Sequence, residues 1–221
     1  TAGREFRKPD AGMRQRQADQ LHFYADTMRR FNAEMVRFYR EELGCRWPII
    51  PGNWRTADQA RLMAAERWSY LPGEAMAIQR YTGPIHVNPN ETRRARYAID
   101  KGDYFAERSA LRYPLQLPIA VRQVAGRTFL NTESTWVSPT AYQAEGPFLI
   151  AAYGSLLGID GYTFFATDVS EWDSQMTKFQ VANPALLGNF PAAALAYREG
   201  FIHQATPAVL EERTPESLWR G

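Results

Sequence analysis

Short apolar runs alternate with helix-like stretches along this chain, and each run ends in polar or aromatic residues. Four runs read as strands: Arg46–Trp54 (R-W-P-I-I-P-G-N-W), Met76–Tyr81 (M-A-I-Q-R-Y), Arg127–Trp136 (R-T-F-L-N-T-E-S-T-W) and Asp160–Thr167 (D-G-Y-T-F-F-A-T). Parallel strands need a crossover long enough to bring the chain back, and a helix supplies it. Strand–helix alternation therefore demands an α/β fold, with a parallel sheet covered by helices. An open doubly wound sheet and a (β/α)8 barrel both satisfy it.

The helical stretches carry recognisable signals. Thr1–Arg16 is polar and basic and reads as a loop. From Gln17 to Leu43, the residues Leu21, Ala25, Met28, Phe31, Met35 and Phe38 recur at three- and four-residue spacing. That stripe is expected to pack into the core, and Gly44 supplies the stop. Thr56 to Gln59 has the pattern of a capping box and opens a helix to Tyr70. Pro118–Ala125 reads as a short helix closed by Gly126. Phe148–Leu157 is almost wholly apolar, as in a helix buried on most sides, and Gly158 ends it. Pro191 starts a last helix, with Gly200 near its end. Thr82–Gln116 is long and irregular, with Asp100-Lys101-Gly102 as the turn of a small hairpin. Val209–Glu212 reads as the start of a further strand.

Composition narrows the function. The chain has 221 residues, enough to bury one sizeable core, and a net charge of +2 with acids and bases interspersed. Such a surface offers no footprint for nucleic acid or an anionic membrane. No apolar run approaches the roughly 18 residues of a membrane span, and no signal-peptide pattern opens the chain. Cys45 is the one cysteine, so no internal disulfide forms. No Cys/His cluster suggests a metal, and no motif suggests a cofactor. No glycine-rich phosphate loop follows any strand, which argues against a nucleotide-binding open sheet.

The strand ends favour the barrel. Asn53/Trp54, Arg80/Tyr81, Glu133/Trp136 and Phe165/Asp168 fall at the C-terminal ends of the four runs, where barrels place their chemistry. A full barrel needs about 250 residues and eight units; four units are read here. The expectation is a partial (β/α)8 barrel over residues 1–204, with 205–221 as a tail or the start of a β-rich segment. Glu133 is the prominent strand-end carboxylate. Period-two alternation puts Phe129, Asn131 and Glu133 on one face, and Thr128, Leu130 and Thr132 on the other. The plain alternative is a rim Glu paired with an Arg such as Arg80.

The order of these elements, with N-T-E-S-T-W ending the third strand read, resembles the C-terminal half of clan A retaining glycoside hydrolases, the cellulase and β-galactosidase-like barrels. The resemblance makes the four runs strands five to eight. It implies Glu133 as the nucleophile, and Tyr81 as the group that contacts it, with His86 the alternative. It implies Phe165 as an aromatic platform for sugar. Asn53, Trp54, Arg80, Asn131, Trp136 and Asp168 become substrate contacts, the tryptophans by stacking. The tail N-F-P-A-A-A-L-A-Y-R-E-G also resembles the close of large bacterial glycosidases. A carbohydrate partner, no cofactor, and a secreted or periplasmic setting follow from the resemblance; the residues themselves leave the compartment open.

One departure bears on activity. The clan's acid/base Glu ends the fourth strand, and nothing before Arg46 reads as a strand. Asn90-Glu91 lies in a loop and reads as solvated. The chain alone is therefore expected to be inactive. With two exposed sheet edges, it is expected to pair with another copy or with a missing N-terminal half. A noncatalytic carbohydrate-binding or scaffold module is the competing reading. An aldolase-type lyase fits less well, because Lys101 and Lys178 sit in loops rather than at strand ends.

Overall fold

The computed structural model describes residues 11–53, 58, 61–83, 85–87, 99, 101–167 and 178–220. The expectations at Thr1–Asp10, Trp54, Thr56, Gln59, Asn90, Glu91, Asp100 and Asp168 lie outside the described residues. The chain divides into two compact units: Thr1–Ala77 with Val124–Thr128 and Pro207–Gly221, and Ile78–Gln123 with Phe129–Thr206.

The first unit is built on helix α1 (Arg14–Glu41), which packs against α2 (Met63–Tyr70) and α6 (Pro215–Arg220). Its core joins Ala25, Ala65 and Leu218, flanked by Leu21, Trp68 and Trp219. Polar bonds fix the register. Asn32 Nδ2 donates to Ser69 O at 2.9 Å, and Arg29 Nη1 donates to Trp68 O at 2.8 Å. Gly44 has φ +61°, the left-handed conformation expected of a helix stop.

Three expectations for this unit are corrected. The α1 stripe is core only in its first part: Ala25 is buried with Leu21 packed beside it, while Met28, Phe31 and Phe38 are exposed, Phe31 by 54%. The buried line runs through Ala18, Ala25 and Asn32. Small side chains there admit the neighbouring helices, while the asparagine hydrogen-bonds across the contact. Arg46–Trp54 also forms no strand over its described residues. Pro48 and Pro51 remove two ladder donors, and the Ile49 N–H between them goes to Glu74 Oε2 at 2.7 Å. Arg40 holds the same glutamate at 2.5 Å. Val209–Glu212 likewise shows no strand.

The chain enters the second unit through strand β1 (Ala75–Gln79). Strands β4 (Thr128–Ser134) and β5 (Gly161–Phe164) complete a three-stranded parallel sheet in the order β1-β4-β5. β2 (Ile85–Val87) and β3 (Tyr104–Ala106) form a separate antiparallel pair inside the long connection. Helix α3 (Glu145–Leu157) connects β4 to β5 and packs against α4 (Pro184–Leu187) and α5 (Phe190–Arg198). Gly158, at φ +66°, caps α3 as expected. The fold is thus α/β with sequentially ordered parallel strands.

Pro118–Ala125 forms no helix, a fourth correction. Leu117, Pro118 and Ile119 are all buried, so three consecutive side chains anchor the segment, where a helix would bury one face. Eight residues also give little return on the cost of nucleating a helix.

Trp136 locks the second unit together. It is 2% exposed, and its ring packs against Gly146 in the first turn of α3. A Cβ at Gly146 would sit 2.9 Å from ring atoms, so the glycine permits this approach of helix to strand end. Trp136→Ala is expected to destabilise the protein by about 3–5 kcal/mol, read as a shift in denaturant midpoint.

The Tyr162 side chain is partly buried, and its hydroxyl donates to Ser134 Oγ. Burial pushes its pKa up from the ordinary 10.0, while the Ser134 bond opposes the shift. The unfolded chain therefore ionises first as pH rises, and stability is expected to fall above about pH 10. Tyr162→Phe should flatten that alkaline slope, measured by denaturation between pH 8 and 11.

Candidate functional site

The site forms where β1, β4 and β5 end, and an irregularity in β4 sets its geometry. β4 and β5 pair as Leu130 with Gly161 and Asn131 with Tyr162, and next as Ser134 with Phe164. From one pair to the next β4 advances three residues and β5 two. The extra residue is a bulge. Asn131 holds it, its Oδ1 accepting the Glu133 N–H at 3.3 Å. This is the bond an asparagine makes to its own backbone two residues on.

The bulge decides where the carboxylate points. In-register residues of a parallel pair share a face, so Asn131 and Ser134 lie with Tyr162 and Phe164. That face meets the helices: Tyr162 and Phe164 line a cavity of about 120 Å³ with Ile150, Ala151, Ala193 and Tyr197. Glu133, one residue before Ser134, turns to the opposite face. The expectation that Phe129, Asn131 and Glu133 share a face is corrected, because the bulge inverts the alternation after Asn131.

Tyr81 meets Glu133 on that opposite face. Arg80 N donates to Glu133 O at 3.2 Å, and Thr82 N to Thr135 O at 3.3 Å. Thr82 thereby bridges Trp136 in parallel register. Tyr81, between Arg80 and Thr82, points away from the helices, and its hydroxyl donates to Glu133 Oε1. Burial first, and then the bond to Glu133 and its charge, push the Tyr81 hydroxyl well above the usual phenol range. Tyr81 therefore stays a proton donor, as a partner to a carboxylate must.

Two phenylalanines extend the site. Phe179 packs on Tyr81 with ring centroids 5.1 Å apart, and Phe165 packs edge-on against Phe179 at 6.0 Å. Phe165, at the end of β5, remains 39% exposed. The Phe165 N–H donates to Ser134 O at 2.8 Å, which ties it to the end of β4.

The remaining expected residues fall elsewhere. His86 on β2 faces Asp103, with Nε2 2.7 Å from Oδ2, and stacks on Phe105 at 4.6 Å. Of the two alternatives for contact with Glu133, the bond is made by Tyr81. Arg80 lies in register with Ser134, on the helix side, and donates from Nη1 to Ala120 O at 3.2 Å. It braces the connection before β4. Asn131 is 1% exposed and belongs to the bulge, not to an open surface. Trp136 is buried against α3 and offers no stacking face. Asn53 is half-buried within the first unit. Among the described residues, no group of three His, Cys, Asp or Glu side chains could hold a metal ion.

Sequence reasoning missed the bulge, Asp103 and Phe179. The bulge had a signal: an asparagine inside a strand competes for its own backbone. Phe179 had none, because its partners lie far away along the chain. Asn131→Ala removes the acceptor for the Glu133 N–H and is expected to cost about 1–3 kcal/mol of stability, measured by chemical denaturation.

Comparison of the chain with protein-family models, with curated proteins and with solved structures finds no match.

Proposed function

We propose that Glu133 and Tyr81 form the nucleophile side of a retaining glycoside hydrolase site that cleaves β-glycosidic bonds in an oligo- or polysaccharide. The observation that carries this reading is the bond from the Tyr81 hydroxyl to Glu133 Oε1, made at the C-terminal ends of adjacent parallel strands and on the face away from the helices. In a parallel α/β fold, this is the end at which catalytic residues gather. On this reading β1, β4 and β5 are the sixth to eighth strands of a (β/α)8 barrel. The fifth is unsupported, since the described part of Arg46–Trp54 forms no strand.

The chemistry assigns each group a task. Glu133 attacks the anomeric carbon and becomes esterified to the sugar. The Tyr81 hydroxyl orients the carboxylate and stabilises its charge beforehand. Phe165 offers an exposed ring on which a sugar face can stack. A second carboxyl group must protonate the leaving oxygen from about 5–5.5 Å away. The resemblance assigns that group to a fourth strand, and nothing before Arg46 reads as a strand. The exposed row Tyr24, Met28, Phe31 and Phe38 on α1 supports pairing with another copy or with the rest of a barrel.

Trapping tests the nucleophile without the acid. The dinitrophenolate of a 2-deoxy-2-fluoro glycoside departs unprotonated and leaves the sugar on the carboxylate, so a chain lacking the acid can still be labelled. Across gluco-, galacto- and manno-configured reagents, an adduct is expected on the peptide carrying Glu133, and none in Glu133→Gln. Tyr81→Phe should slow labelling roughly ten- to a hundredfold, the weight of one bond to a charged group. Sugar binding that needs Phe165, with no label from any reagent, would favour the noncatalytic carbohydrate-binding module instead.

A further inference from the structure

We infer that Phe179 is a positioning residue of the site, holding the Tyr81 ring so that its hydroxyl stays on Glu133. The inference rests on the reading of Glu133 as a nucleophile. It adds a residue, from the far side of the site, that neither sequence pattern nor resemblance indicated.

Three observations carry it. First, the Phe179 ring lies 5.1 Å from that of Tyr81, in a tilted aromatic contact. Tyr81 lies past the end of β1 and one residue before the bridge from Thr82 to Trp136, so the ladder fixes its backbone but not its side-chain torsions. A phenol pivots about two torsions, and a ring packed against it restricts both. Second, Phe179 is itself held from two sides. Ser138 N donates to Lys178 O at 3.0 Å, and Ala166 N donates to Phe179 O at 2.8 Å. One bond comes from the chain just past β4, the other from just past β5. The residue pair is thus strapped across the ends of the strands that carry the site. Third, Phe179 also meets Phe165 at 6.0 Å. One ring therefore links the candidate sugar platform on β5 to the Tyr81–Glu133 pair between β1 and β4.

This arrangement has a physical purpose. A hydroxyl that turns away from a carboxylate leaves the charge unsatisfied and the nucleophile free to rotate. Small displacements of a reacting group cost rate steeply, roughly a hundredfold for 1 Å. Rigid packing behind Tyr81 is the means the fold has of preventing that loss.

The test separates positioning from packing. Phe179→Leu keeps apolar volume and removes the ring face; Phe179→Trp keeps a ring. With the fluoroglycoside that labels the wild-type chain, Phe179→Leu is expected to slow the labelling step about tenfold at saturating reagent and to leave reagent binding unchanged. Phe179→Trp should restore most of that rate. In a Tyr81→Phe background, Phe179→Leu should have no further effect, because the two act through one bond. Equal slowing in both backgrounds, or a change confined to reagent binding, would overturn the inference.

A second measurement stands whether or not any reagent labels Glu133. The Tyr81 ring is followed by NMR at neutral pH on the intact chain with labelled tyrosine, assigned by comparison with Tyr81→Phe. Phe179→Leu should speed the flipping of that ring while the protein stays folded. An unchanged flip rate sinks the inference. Absence of label from the wild-type chain, with the flip rate raised, removes the glycosidase reading and leaves the positioning intact.

Discussion

One hydrogen bond, donated by the Glu133 N–H to Asn131 Oδ1, closes an extra residue into β4, and the geometry of the site follows from it. Without the bulge, strict alternation would put the Glu133 carboxylate on the face shared by Asn131 and Tyr162, against the helices. A charged group there would have to be desolvated among apolar side chains, at a cost that only a buried partner could offset. With the bulge, Ser134 takes the helix-side position and satisfies its hydroxyl against Tyr162. The carboxylate turns to the face where Tyr81 can reach it. Bulges commonly re-aim a side chain at the edge of a functional site, and this one moves a carboxylate across the sheet.

Packing on the helix side makes that placement rigid. Trp136 against Gly146 fixes α3 to the end of β4, and Leu117, Pro118 and Ile119 anchor the connection that precedes the strand. Arg80, whose guanidinium binds Ala120 O, reinforces the same connection. Residues that looked available for substrate are therefore the frame that holds Glu133. The groups on the other face come from β1, from the end of β5 and from the segment at Lys178 and Phe179. They share an origin near strand termini, where backbone ladders stop and side chains are free to converge.

The first unit shows how far helical period can mislead about burial. The spacing of Met28, Phe31, Met35 and Phe38 established that α1 is a helix, because only a 3.6-residue repeat gathers those residues into a row. It did not establish that the row faces the core. The face that packs on α2 and α6 is the one whose small Ala18 and Ala25, and hydrogen-bonding Asn32, allow close approach. An exposed aromatic and methionine row of this length is a surface that a partner can cover, whichever molecule provides it.

Sequence alone determined the class of the fold and most of its punctuation. Alternating strands and helices required the parallel sheet. Gly44 and Gly158 closed their helices because left-handed backbone there costs glycine little. The sequence also brought Glu133 and Tyr81 forward as strand-end residues, since periodicity and turn residues are local properties. Tertiary structure decided the rest. The two prolines around Ile49 and the buried Leu117–Ile119 run overrode a strand and a helix that local pattern favoured. The face of Glu133 depended on a register step between two strands of the sheet. The fate of Trp136, and the presence of Phe179 beside Tyr81, depended on contacts between residues distant in sequence. Local pattern records what a segment prefers, and only the packed chain determines which neighbours it meets.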